Sequence, residues 1–164
     1  MSLTRFLAER SATDDACTDG PPLQAIGSKD EVNTSSNAIY TLINGPAERE
    51  VPGNRLPLFC HVVDVALAHV RAVEKPAELV AGKRFLLCGG AFTWEEAIEH
   101  LATVRPELKP RLPKLPAEQA PRGTIAHLDT TPAQKDLGIE HFRKWKPTLE
   151  ETIDSLVQRE KEWA

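Results

Sequence analysis

No block of lysine or arginine occurs anywhere in these 164 residues. The 20 basic residues are outweighed by 24 acidic ones, for a net charge of −4. Nothing in that pattern tracks a phosphate backbone, so nucleic acid is not an expected partner. Long hydrophobic runs are lacking too. The longest, near residues 62–73, is broken by Asp64, His69 and Arg71, and no membrane span is expected. Residues 1–16 have no secretory apolar stretch, because Leu3, Phe6 and Leu7 are interrupted by Arg5, Glu9 and Arg10. Cysteine is scarce: Cys17, Cys60 and Cys88 are odd in number and show no CxxC spacing. They read as reduced thiols of a cytoplasmic protein and not as a disulfide frame or a zinc site. There is no internal repeat, and Tyr40 is the single tyrosine.

What is present suffices for a core, with hydrophobic residues at 41% and charged residues at 27%. The length fits one domain or a part of something larger. Residues 1–19 carry no core-forming pattern: Leu3–Arg10 suits a short helix, and Ser11–Gly20 is small, polar and acidic. Legible structure begins after Gly20-Pro21-Pro22. Asn33, Thr34 or Ser35 can cap a helix with Ala38, Ile39, Leu42 and Ile43 on its apolar face, and Gly45-Pro46 ends it. Leu56–Val62 reads as a strand covered on both faces, followed by Asp64 as the N-cap of a buried helix, Val65–Glu74. Arg84–Cys88 reads as a second buried strand running into Gly89-Gly90. Thr93-Trp94-Glu95-Glu96 then forms a capping box that opens a helix to about Val104.

Arg105–Pro121 is proline-rich and reads as an extended surface segment or edge strand. Thr124–Leu128 suits a short strand. Thr131-Pro132 starts a short helix that Gly138 ends. A second capping box, Thr148 to Glu151, opens a last helix to about Trp163 with Leu149, Ile153, Leu156 and Val157 in its stripe. Two strands each followed by a capped helix suggest an α/β chain with β–α units of a parallel sheet. Two strands cannot form such a sheet alone, which points to a fragment or an obligate assembly.

Few residues propose chemistry by themselves. The residue four after Tyr40 is Asn44, so no tyrosine–lysine pair exists to lower a phenol's pKa for proton donation, and no catalytic residue is assigned. Gly89-Gly90 follows a strand but lacks a third glycine, and Phe92 and Trp94 crowd it. A tight turn fits better than a phosphate cradle. Cys60 and His61 are strand neighbours that face opposite ways, and no further zinc ligands stand at short spacing. His61 therefore reads as a core or interface histidine. No GxSxG elbow anchors a serine triad.

A resemblance adds to this. Gly20-Pro21-Pro22-Leu23-Gln24, then Asn33-Thr34-Ser35-Ser36-Asn37 with Ile43-Asn44-Gly45, follow one another as in extended short-chain dehydrogenases. So do Phe59-Cys60-His61-Val62-Val63-Asp64-Val65-Ala66, Gly82 to Leu87, Asp129 to Gly138, Phe142, and Thr148 to Glu151. The order resembles the dihydroflavonol- and cinnamoyl-reductase-like aldehyde and ketone reductases, within the NAD-dependent epimerase/dehydratase superfamily, over about residues 20–164. The resemblance implies a partial Rossmann-type parallel sheet edge plus a small, mixed, mostly helical substrate-binding subdomain. It implies NADP or NAD as cofactor and no metal. The substrate would be a small-molecule carbonyl compound, plausibly of secondary metabolism. Pro21, Pro22 and Leu23 would lie at the nicotinamide end, and Gln24, Asn33 and Ser36 at the substrate. The family's glycine fingerprint and tyrosine–lysine pair are absent from this sequence, so the expectation is a truncated reductase that does not transfer hydride alone. Two alternatives stand beside it. One is a non-catalytic accessory subunit docking onto a homologous or Rossmann-bearing chain. The other is a small non-redox isomerase or cyclase using His61 and Asp64.

Overall fold

The computed structural model describes residues 28–54, 57–115 and 127–163. The expected helix at Leu3–Arg10, the connector after it, and Pro21, Pro22, Leu23 and Gln24 lie outside the described residues, as does most of the strand expected at Thr124–Leu128.

After a 3-10 turn, Lys29–Glu31, helix α1 spans Thr34–Tyr40. Its N-cap is Asn33, whose side-chain oxygen accepts the Ser36 amide at 2.9 Å. The chain then tightens through Leu42 and Ile43, both almost fully buried, before Gly45. Strand β1 is only Leu58–Phe59, and it pairs with β2, Gly90–Ala91. The pairing is antiparallel, Leu58 with Ala91 and Phe59 with Gly90. This corrects the expected parallel units and the long strands 56–62 and 84–88. Among the described residues the ladder ends after two pairs, and no strand is formed over 84–88.

The reason lies at the glycines. Phe59 is level with Gly90, yet its carbonyl also accepts the Gly89 amide at 2.8 Å. Two residues of one strand facing one of the other is a β-bulge, which bends the strand and ends regular pairing. Gly90 sits at φ +127°, open to glycine at low cost.

Helix α2, Val62–Glu74, starts three residues earlier than expected. Asp64 is not its cap. His61 is, with a ring nitrogen accepting the Val63 amide at 3.1 Å. Nor is the helix buried all round. Asp64 and Ala68 face inward, while Val62, Val63 and Leu67 are exposed and Val73 is 82% exposed. Apolar residues on every side told that the helix wants cover; they could not tell which side has it. A short helix, α3 (Ala77–Val80), leads to the extended run 84–88, where Leu86 is exposed.

Helix α4, Trp94–Val104, has the expected capping box: the Thr93 hydroxyl accepts the Glu96 amide, and the Glu96 carboxylate accepts the Thr93 amide. The proline-rich stretch is not an edge strand over its described part. Pro106–Arg111 coils as a 3-10 helix and buries Leu108, and Leu112 follows it into the core. Helix α5, Thr131–Leu137, has proline in its first turn and ends at Gly138 in the left-handed region, as expected. The last helix, α6, spans Trp145–Trp163 and does not begin at a capping box. Thr148 lies inside it, with its hydroxyl donating to the Lys144 carbonyl at 2.8 Å.

Two apolar clusters result. The first joins α1, α4, the 3-10 segment and α6 through Leu42, Ile43, Leu101, Leu149, Ile153 and Leu156. The second gathers Ala68, Ala133, Leu137 and Ile139 under Phe85 and Leu87. A chain of aromatic contacts ties the ladder to the first cluster: Phe59 to Phe92, edge-on, and Phe92 stacked on Trp145 at 5.2 Å.

Candidate functional site

The ladder and its bulge frame a cavity of about 540 Å³. Leu58 and the run Cys88-Gly89-Gly90-Ala91 form one wall. His127, Leu128, Thr130 and Gln134 form a second, and Glu140, His141, Phe142 and Lys144 close it. Leu58, Ala91, Leu128 and Phe142 offer apolar contact, while two imidazoles, an ammonium, an amide and a carboxylate line it with polar groups. The backbone here is dense: a side chain at Gly89 would meet the Arg143 carbonyl at 2.7 Å and the Phe59 ring at 2.8 Å. Sequence reasoning singled out Gly89-Gly90 as a turn but missed the cavity. Its other walls come from His127 and residues beyond it, which no local spacing connects to the glycines.

A buried polar junction adjoins this cavity through Arg143, which stands between the lining residues Phe142 and Lys144. His61 is 2% exposed. Its Nδ1 accepts from the Val63 amide, so the proton sits on Nε2, which donates to the Glu151 carboxylate at 3.2 Å. Asp64 accepts the Arg143 amide at 2.9 Å. The Arg143 guanidinium reaches both Asp64 and Glu151 at 3.9 Å. The junction thus pins α2, the segment 139–144 between α5 and α6, and α6 together. His61 and Asp64 do not line the cavity, and their polar atoms serve neighbouring backbone and side chains. This geometry gives them no role as an acid–base pair in a cavity. A second histidine, His100, holds Glu150, the residue before Glu151 on α6, at 2.7 Å.

Tyr40 is likewise structural. It is 3% exposed and its hydroxyl donates to Glu160 Oε1 at 2.8 Å, so the hydroxyl is paired inside the fold. Arg111 donates to the same oxygen and to the Ile43 carbonyl, and Arg49 ties Thr41, Leu42, Pro46 and Arg111 carbonyls. Burial, then the Glu160 hydrogen bond, pushes the Tyr40 phenol up to about 12. Burial alone would raise Glu160, but hydrogen bonds from Arg111 and Tyr40 outweigh it and hold that carboxyl below its usual range.

The sign follows from both shifts. The phenol's native pKa lies above its ordinary value of 10.0, so its contribution is complete below pH 10 and is lost as pH rises toward 12. The Glu160 contribution is present above the ordinary carboxylate range and is lost on acidification. Because Tyr40 is the single tyrosine, phenolate absorbance reports it alone. The native chain is expected to titrate near 12 and the urea-unfolded chain near 10. Coincident curves would contradict the Glu160 contact.

Of the expected substrate residues, Asn33 is the exposed cap of α1 and Ser36 is buried one turn in. The structure joins these two to each other but not to the cavity wall described above. Among the described residues no group of three or more histidine, cysteine or acidic side chains could hold a metal, and no described helix is long and apolar enough to cross a membrane.

No family model matches the chain. It is 34% identical over 140 residues to cinnamoyl-CoA reductase 2 of Arabidopsis thaliana, covering 85% of this chain and 38% of that protein. Cinnamoyl-CoA reductase 2 of Medicago truncatula matches equally, at 34% identity over 140 residues. Among solved structures, yeast methylglyoxal/isovaleraldehyde reductase Gre2 complexed with NADPH superposes with a TM-score of 0.67 at 28% identity. That match covers 87% of this chain and 41% of the yeast one. The chain therefore spans about 40% of the length of the curated relatives it matches. The order of motifs, the identity and the superposition agree: the chain's homologues are reductases of the short-chain dehydrogenase/NAD-dependent epimerase-dehydratase superfamily, and it matches their C-terminal part.

Proposed function

We propose that this chain forms the substrate-side part of an NADPH-dependent reductase of small aldehydes and ketones. The observation that carries the reading is the superposition on the yeast reductase complexed with NADPH, at 28% identity over 87% of this chain. In this reading Pro21, Pro22 and Leu23 meet the nicotinamide end, and Gln24, Asn33 and Ser36 the substrate. The cofactor supplies hydride when bound. The chain's own part is to orient the carbonyl and exclude water. Proton delivery falls outside it, because its one phenol is tied to Glu160 and stays protonated up to about 12.

The test is a chimera in which residues 20–164 replace the matched part of the Arabidopsis relative. NADPH oxidation by small aldehydes, above a chimera-free background, is the expected result. A folded chimera that binds NADPH but reduces no aldehyde would overturn the reading. For the chain by itself, fluorescence titration with NADPH is expected to show no saturable binding and no turnover.

A second reading, a non-catalytic subunit docking onto a Rossmann-bearing reductase, is favoured by the exposed apolar stripe Val62, Val63, Leu67 and Val73 on α2. Size-exclusion chromatography with a full-length reductase of the family decides it: co-elution supports docking, and independent elution removes it.

A further inference from the structure

The bulge has a consequence for the two cysteines beside it. Along β1 and β2 the paired residues are Leu58 with Ala91 and Phe59 with Gly90. Continued without a break, that register would set Cys60 opposite Gly89. The bulge spends Gly89 and Gly90 together on Phe59, since the Phe59 carbonyl accepts the Gly89 amide at 2.8 Å. Past the ladder's last pair, a register stepped by one turns Cys88, and not Gly89, toward Cys60, and the two lie near enough for the charge of Cys88 to act on the Cys60 thiol. Residues level with each other across an antiparallel pair have α-carbons about 4.5–5.5 Å apart, within the span of about 4.4–6.8 Å that a disulfide bridges.

Both thiols are free and half-buried. Each makes only a weak sulfur contact, Cys60 to the His61 carbonyl at 3.8 Å and Cys88 to the Gly90 carbonyl at 3.3 Å. Neither contact would hold a sulfur in place. From this geometry we infer that Cys60 and Cys88 form a reversible cross-strand disulfide when the protein meets a peroxide. The Cys88 thiolate attacks one peroxide oxygen, the O–O bond breaks, and Cys88 becomes a sulfenic acid while the departing hydroxide takes up the proton that the Cys88 thiol had released, leaving as water. The Cys60 sulfur then attacks the Cys88 sulfur, the S–O bond breaks, and the departing hydroxide takes the Cys60 proton as a second water. Two thiols and one peroxide give one disulfide and two waters, and a dithiol restores both thiols. Burial, with the charges of Asp64 and Cys88, pushes the Cys60 thiol up to about 11, which fits it to the second step, where it attacks as the protonated thiol. Cys88, Gly89, Gly90 and Leu58 all line the cavity, so the bond would lock one wall of it. The inference stands apart from the reductase reading, since it needs neither dinucleotide nor substrate.

The test uses the full 164-residue chain carrying Cys17→Ser, so that the third thiol cannot compete. After hydrogen peroxide, a non-reducing digest is expected to yield one peptide pair joined through Cys60 and Cys88. Both thiols should be lost together, and dithiothreitol should return them fully. In Cys60→Ser, peroxide should leave Cys88 as a sulfenic acid that dimedone traps. Circular dichroism on each variant before oxidation establishes that it is folded. Two thiols that remain separately alkylatable after peroxide, or a Cys88 that runs on to sulfinic acid while Cys60 stays free, would overturn the inference.

Discussion

Leu101→Ala is expected to lower the unfolding free energy by about 2–5 kcal/mol, the range for emptying a well-packed aliphatic site. Leu101 is 0% exposed on α4 and belongs to the cluster that joins α4 to α1 and α6. Its neighbours are held from several directions at once. The Thr93–Glu96 box fixes the start of α4, and Arg105 clamps its end to Asp154 on α6 at 2.6 and 3.0 Å. With both ends tied, the helix cannot slide to fill the hole, so the upper half of that range is expected. Urea unfolding followed by tryptophan fluorescence measures it. A loss under about 1 kcal/mol would mean that the first cluster is loosely packed.

Gly89→Ala comes next in size. The new methyl would stand 2.7 Å from the Arg143 carbonyl and 2.8 Å from two Phe59 ring carbons. The ring could tilt, although Phe92 holds its other side at 5.8 Å between centroids. The carbonyl has less freedom, because the Arg143 amide next to it is bound to Asp64 in the buried junction. Relief must come from moving the bulge or breaking that hydrogen bond, at a cost of about 1–3 kcal/mol for overpacking. The contrast with Gly53 makes the argument testable. Nothing lies within 4 Å of a side chain there, so Gly53→Ala is expected to change stability by less than about 0.5 kcal/mol. Equal midpoints in urea for the two variants would refute the close approach at Gly89.

What was legible in the sequence was what short-range chemistry decides. Thr93 and Glu96 announce a cap because one backbone amide and one carboxylate three residues on complete each other. Pro132 and Gly138 bracket α5 because one fixes φ and the other accepts the left-handed region. The same chemistry misled at Thr148, where the spacing was right. The hydroxyl instead bonds the Lys144 carbonyl within a helix already begun at Trp145. Asp64 misled similarly, since the residue before the helix, His61, could cap it through a ring nitrogen, a cap outside the usual preferences. The cavity was not legible at all. Its walls are brought together by a bulge, and a bulge depends on which residues lie opposite, information that no stretch of one strand contains. The family's signature order was legible, and it carried further than composition or period did.

The three tryptophans, Trp94, Trp145 and Trp163, all pack against the first apolar cluster, while the second has phenylalanines only. Indole emission is consequently a witness to one half of the interior and blind to the other. A single smooth fluorescence transition would describe the assembly of α1, α4 and α6, and the fraying of α2 and α5 would pass beneath it unseen. Amide exchange, which samples every backbone group, is the observable that reaches the dark half.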